Sequence, residues 1–280
     1  KIKFIYGDLT NYQSLFRIFN DNQYDGVFHL GAQSHPPTSF IDPVGTMEAN
    51  VLGSTYLIDC IQNYQKNCIL QFTSTSEVYG NQGKDIGIIE ESSPILPSNP
   101  YGTSKAMIDL YVQERCNNNF LNAFITRAFS HTGPRRGKNF SISWDAFHLA
   151  NMKIGNSKNY VLPVGNLKTK RIVIDVRDTV QAYYELMKNF SDQMNGEAFN
   201  VCGDIEDVKE MEYFTDKLID ISGLSKIEKK IDKAIYRDID IEVQIGSTEK
   251  INKYIKWEKS YNLDDTLYDL FDYWIKKLSN

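Results

Sequence analysis

Five residues, Cys68-Ile69-Leu70-Gln71-Phe72, form a short and mostly apolar run that breaks into Thr73-Ser74-Thr75-Ser76-Glu77. A run of that length fits the middle of a parallel sheet, where both faces are covered. The hydroxyls and the carboxylate at its end do not belong in a core. In open α/β sheets, ligands sit outside the carboxyl ends of the strands. Thr75, Ser76 and Glu77 are therefore expected to emerge into a cleft, and the fold class is α/β.

A second constraint lies downstream. Pro100 opens a helix at the position where its missing N–H is least costly. Tyr101 and Lys105 stand one helical turn apart and share a face. An ammonium beside a phenol favours the phenolate. The spacing alone says little, because Tyr184/Lys188, Tyr213/Lys217 and Tyr273/Lys277 repeat it. Those three read as ordinary amphipathic helix faces. Tyr101 differs in following the strand-end Thr-Ser-Glu.

Length and charge narrow the choice further. The 280 residues allow one large domain or two small ones. A net charge of -5 argues against non-specific nucleic-acid binding, so an anionic ligand must be held by local cations. Cys60, Cys68, Cys116 and Cys202 lack metal-ligand spacing, and three lie in apolar runs. They are expected as buried, reduced thiols in a cytoplasmic protein, with no metal site. No apolar run is long enough to span a membrane and no signal peptide is visible.

The motifs Ser74-Thr-Ser-Glu-Val-Tyr-Gly80 and Asn99-Pro-Tyr-Gly-Thr-Ser-Lys105 together resemble the extended short-chain dehydrogenase/reductase family. Within it, the likeness is to the nucleotide-sugar 4,6-dehydratases, nearest the GDP-mannose 4,6-dehydratase branch, and it covers nearly the whole chain. The resemblance implies a Rossmann-like, doubly wound parallel sheet with a smaller α/β substrate-binding domain. The dinucleotide-binding part is expected over residues 1–130 and about 165–203. The substrate part is expected mainly over 131–164 and 204–280. No Gly-x-x-Gly-x-x-Gly turn is present, and Lys1 to Thr10 resembles the family's third strand. The expectation is that a first βαβ unit, roughly 30 residues or more, is missing from the front.

The resemblance also implies roles. NADP is the expected cofactor, with NAD not excluded, and a GDP-sugar is the expected substrate of a homodimer or homotetramer. Asp8 and Leu9 match the pair that lies against the adenine; Asp8 or Thr10 would equally suit a helix N-cap. Leu30, Gly31, Ala32 and Ser34 match the turn that packs against pyrophosphate and ribose. His29, inside that strand, reads as a core histidine. His35, Thr38 and Ser39 are candidates for the sugar pocket. Asn50 matches a position facing the cofactor side or is a solvated helix position. Ser130 stands where the family has an Asn that binds the diphosphate, and His131 follows on the cofactor side. Arg136, Arg171 and Arg237 are the candidate substrate cations, Arg171 foremost because its fork matches phosphate. Arg177 between two aspartates reads as a structural ion pair.

In the implied reaction Tyr101 deprotonates the sugar O4, with Lys105 tuning the phenol and holding the nicotinamide ribose. Glu77 removes the C5 proton, Ser76 relays, and Thr75 holds the C4 oxygen. A 4-keto-sugar reductase or epimerase of the same family needs Thr75, Tyr101 and Lys105 but not the carboxylate, and stays as the alternative.

Overall fold

The computed structural model describes residues 2–155, 160–233, 235 and 240–279. Its centre is a four-stranded, all-parallel sheet in the order Gly26–His29, Ile69–Thr75, Asn122–Ala128, Ala198–Val201. The strand Ile69–Thr75 is central, pairing with Gly26 to His29 on one side and along its whole length with Asn122 to Ala128 on the other.

Alternation along these strands divides two cores. Leu70, Phe72, Ala123 and Ile125 point to one face, against Leu15 and Phe19, Leu57 to Ile61, and Ile108 to Cys116. Those residues come from the helices Tyr12–Asp21, Gly53–Tyr64 and Pro100–Asn117. Phe124, Phe199 and Val201 point to the other face, against Ala182, Tyr183 and Leu186 of the helix Val176–Lys188, together with Ile251 and Trp257. Helices on both faces of a parallel sheet make the doubly wound arrangement. A further core joins the helices Ser141–Lys153, Met211–Ser222 and Leu263–Ser279 through Leu149, Phe214, Leu270 and Trp274.

One segment differs from the sequence expectation. Ile2 to Tyr6 alternates like a strand but forms none, and Phe4 and Tyr6 are over 90% exposed, at 93% and 92%. A strand needs a hydrogen-bonded neighbour, and among the described residues none faces this segment. Pro36–Ile41 is a short helix with both prolines in its first turn. A long helical stretch runs from Pro43 to Tyr64. It is interrupted at Glu48–Leu52 by a π-helical turn, closed by Gly53 N–H donating to the Glu48 carbonyl. Ile88–Ile89 pairs in parallel with Ile245 and Gly246. All four cysteines are free and buried. No helix among the described residues is long and apolar enough to cross a membrane.

Candidate active site

The strand Ile69–Thr75 ends at Thr75, whose Oγ1 accepts from Glu77 N–H at 3.2 Å and so starts the 3-10 turn Ser76–Tyr79. Thr75 and Ser76 are buried and Glu77 is half-buried. The next turn needs Gly80: φ is +62°, and a Cβ there would collide with the Leu96 carbonyl. The helix Pro100–Asn117 then brings Tyr101 back beside this turn. Ser39 Oγ accepts from Tyr101 N–H at 3.0 Å and donates to the Pro36 carbonyl. Ser39 is therefore a buried support for the helix start, not a sugar contact.

Tyr101 is buried. Burial pushes its phenol up; the Thr75 hydroxyl and the Arg136 charge pull it down, while Glu77 raises it. Tyr101, Thr75 and Glu77 thus share one microenvironment. Lys105 Nζ donates to the Thr73 carbonyl at 2.6 Å and lies 4.9 Å from the Phe72 ring centre. Burial lowers this amine to about 8, and Asp109 opposes the shift. The bond to Thr73 uses one of three ammonium protons.

The strand Gly26–His29 leads into Leu30 and Gly31, both exposed, then half-buried Ala32 and exposed Ser34. A Cβ on Gly31 would meet Leu9 Cδ1 at 2.9 Å, so Leu9 and the turn lie together. Asp8 accepts from Thr10 N–H and Oγ1–H at 2.9 and 2.8 Å, which lowers its carboxyl. The helix cap belongs to Asn11, not to Asp8 or Thr10. His29 is the core histidine expected: it is buried, bonded to Ser54 Oγ at 2.8 Å, and lowered to about 3 by burial.

Asn50 is neither solvated nor open to a ligand. Its Oδ1 accepts from Gln33 N–H, and its Nδ2 donates to the Gln33 carbonyl and to Ser104 Oγ, all within 2.9 Å. Ser104 Oγ in turn donates to the Tyr101 carbonyl at 2.7 Å. The turn after the first strand and the helix of Tyr101 are stitched together through this π-helical asparagine. Sequence reasoning missed Ser104 altogether, and no local pattern marks it.

His131 Nδ1 faces the Phe129 carbonyl at 3.0 Å, and burial lowers the ring to about 4. The neutral ring therefore carries its proton on Nδ1 and keeps Nε2 as an acceptor. Half-buried Ser130 precedes it. The Arg136 guanidinium lies 3.6 Å from the Phe140 ring centre and has no carboxylate partner among the described residues. Arg171 is committed elsewhere: its fork donates to the carbonyls of Lys170, Ile241 and Glu242 and approaches Asp240 at 3.6 Å. That fork ties the strand Lys170–Arg171 to the chain around 241–242. Arg177 is the structural ion pair expected, held by Asp175 at 2.7 Å and Asp269 at 2.8 Å. Arg237 lies outside the described residues. His35 bonds Thr38 Oγ1 and the Asn139 carbonyl.

A parallel sheet whose central strand ends in Thr75-Ser76-Glu77, with Tyr101 and Lys105 on the following helix, defines an extended short-chain dehydrogenase/reductase. The chain belongs to the GDP-mannose 4,6 dehydratase family, whose pattern it matches over residues 1–270. It is similar to CDP-paratose 2-epimerase of Salmonella typhi, at 26% identity over 97% of this chain and 84% of that protein. It is also similar to GDP-6-deoxy-D-mannose reductase of Pseudomonas aeruginosa, at 27% identity over 89% and 80% of the two chains. Among solved structures, RMD from Pseudomonas aeruginosa complexed with NADPH superposes with a TM-score of 0.88 and 24% identity, over 99% of this chain and 90% of that one.

Proposed function

We propose that the chain is a nucleotide-sugar 4,6-dehydratase acting on a GDP-hexose, GDP-mannose by preference, through bound NADP. The observation that carries the reading is a carboxylate, Glu77, in the turn after Thr75, packed against the first turn of the helix that carries buried Tyr101 and bonded to its cap Asn99.

The residues fit the cofactor. Leu9, Leu30, Gly31, Ala32 and Ser34 offer an open turn beside the sheet, and Asp8 keeps an ionised carboxylate near it. Lys105 keeps ammonium donors for the nicotinamide ribose, and His131 presents Nε2. NADP, when bound, supplies reversible hydride acceptance from C4 and donation to C6, and NAD would supply the same chemistry. Thr75 holds the C4 oxygen while Tyr101 takes its proton as general base. The resulting 4-ketone acidifies the C5 proton, which Glu77 removes. Ser76 relays that proton toward O6 as water leaves, and the proton held by Tyr101 is given back at C5, so that two protons are taken and two returned. Arg136 is well suited to the negative charge of the diphosphate, because its guanidinium is desolvated and unpaired by carboxylate. Ser130 adds one hydroxyl there, and Arg171 could join only by releasing its carbonyl partners.

The reading also divides the chain. Residues 1–130 and 165–203 hold the cofactor, and 131–164 with 204–280 mainly hold the sugar nucleotide; the separate helical core supports this. It includes a homodimer or homotetramer, supported by Met107 and Leu110 lying exposed on the helix of Tyr101. A cytoplasmic location is supported by the four unpaired thiols.

Incubation with GDP-mannose and catalytic NADP, without reductant, is expected to yield the 4-keto-6-deoxy sugar nucleotide. Glu77→Gln is expected to bind cofactor normally and to form none. A second reading, an NADPH-dependent GDP-4-keto-6-deoxy-hexose reductase or epimerase, is favoured by the likeness to the Pseudomonas reductase. Stoichiometric NADPH consumption with a 4-keto-6-deoxy substrate, and no dehydration of GDP-mannose, would replace the first reading with the second.

A further inference from the structure

Asn99 touches the site from behind, with both ends of its amide committed. Its Oδ1 accepts from Gly102 N–H at 2.8 Å and caps the helix Pro100–Asn117. Its Nδ2 donates to Glu77 Oε2 at 2.6 Å. The two bonds fix each other. Turning the amide over would set its oxygen against the carboxylate and its NH2 against the Gly102 N–H. The backbone is fixed as well, because the Asn99 carbonyl accepts from Thr103 N–H and Oγ1–H at 2.9 and 3.0 Å. Gly102 lets the two segments close up, since a Cβ there would lie 2.8 Å from the Glu77 carbonyl oxygen. Glu77 has no ion pair among the described residues. The Asn99 amide is thus the side-chain group that orients the carboxylate.

We propose that Asn99 is a positioning residue for Glu77: one planar amide ties the carboxylate to the first turn of the helix that carries Tyr101, so that base and phenol are held as a unit. The inference rests on the reading of Glu77 as the C5 base. A charge-assisted bond of this length holds direction as well as distance. Asn99 directly precedes a proline at the first helical position, so the sequence marks it as a cap. Its second bond, across 22 residues, is visible only in the fold.

Two variants separate positioning from capping. Asn99→Ser and Asn99→Asp both keep an oxygen able to cap Gly102, and both lose the amide Nδ2 that donates to Glu77. Asn99→Asp also sets a second carboxylate against it. In both, the melting temperature is expected to stay within about 2 °C of wild type, with NADPH affinity unchanged. The kcat for GDP-mannose dehydration is expected to fall on the order of tenfold to a hundredfold, with KM unchanged. The loss is larger in Asn99→Asp, and the acid limb of its pH profile moves to higher pH. Retained kcat in both variants would overturn the proposal. One readout needs no turnover. The Glu77 carboxylate stretch, isolated as the infrared difference between wild type and Glu77→Gln, should shift in Asn99→Ser; an unmoved band means that Asn99 is only a cap. If the wild type does not dehydrate GDP-mannose, the functional reading falls and the band alone decides the role of Asn99.

Discussion

Arg127 grips Asp109 through two parallel bonds, Nε to Oδ2 and Nη2 to Oδ1, each 2.9 Å, with both side chains buried. Asp109 is one turn beyond Lys105 on the same helix, and Arg127 stands on the neighbouring strand. The pair gathers the site's supports. Asp109 also accepts from Ser74 Oγ at 2.7 Å, and Arg127 donates to Tyr79 Oη at 2.9 Å and to the Glu91 carbonyl at 3.0 Å. Removing one partner leaves an uncompensated buried charge. Arg127→Ala or Asp109→Ala is expected to cost about 3–5 kcal/mol, read from urea denaturation. A paired apolar replacement, Asp109→Leu with Arg127→Met, is expected to recover most of that loss.

Lys105 gives the protein without cofactor a pH dependence of defined sign. Its amine is lowered from 10.5 to about 8 by burial. Below pH 8 the folded protein must keep a desolvated charge. Between 8 and 10.5 the unfolded chain binds more protons, so this group makes stability rise with pH across that window. The rise is on the order of 3 kcal/mol. Chemical denaturation from pH 7 to 10.5 measures it, and Lys105→Met should flatten the curve.

Asp145 acts in the opposite sense. It is buried against Thr215, whose Oγ1 donates to Oδ2 at 2.7 Å, and burial raises its carboxyl to about 7. The folded pKa lies above the unfolded one. Its contribution is therefore full below about pH 4 and is lost as pH rises through 7. Asp145→Asn keeps an acceptor for Thr215 and carries no charge. It should raise the melting temperature at pH 8 and leave it unchanged at pH 3.5, as calorimetry at the two pH values would show.

Gly102 meets the Glu77 carbonyl where any side chain would intrude. Gly102→Ala should part the helix from the turn and cost about 1–3 kcal/mol by the overpacking rule. Activity should fall further than stability predicts, because Glu77 and Tyr101 would move apart. Paired kcat and unfolding measurements test this.

The parts of the site that were legible in the sequence are those written in one short segment. Thr75 to Glu77 announce themselves by ending an apolar strand, and Tyr101 with Lys105 by their turn-length spacing after Pro100. What was not legible depends on residues that meet from far apart. Asp109 and Arg127 are separated by 18 positions, and neither lies in a pattern that pairs them. Arg171 carries a fork that matches phosphate, and nothing in its own segment says that the fork is taken. Its actual acceptors, the carbonyls at 241 and 242, come from about 70 residues away. Ile2 to Tyr6 had the right alternation for a strand. Alternation describes which faces the side chains take, and a ladder also requires an adjacent backbone.

The wide turn at Glu48–Leu52 has a mechanical meaning. It places one more residue in the helix than regular coiling would need, and Asn50 rides on that surplus. Excising a single residue there would let the helix rewind into uniform coil. The turns on either side would keep their faces, because the residue removed is the surplus one. The helix could survive such a repair intact, while the clamp from Gln33 to Ser104 would come undone.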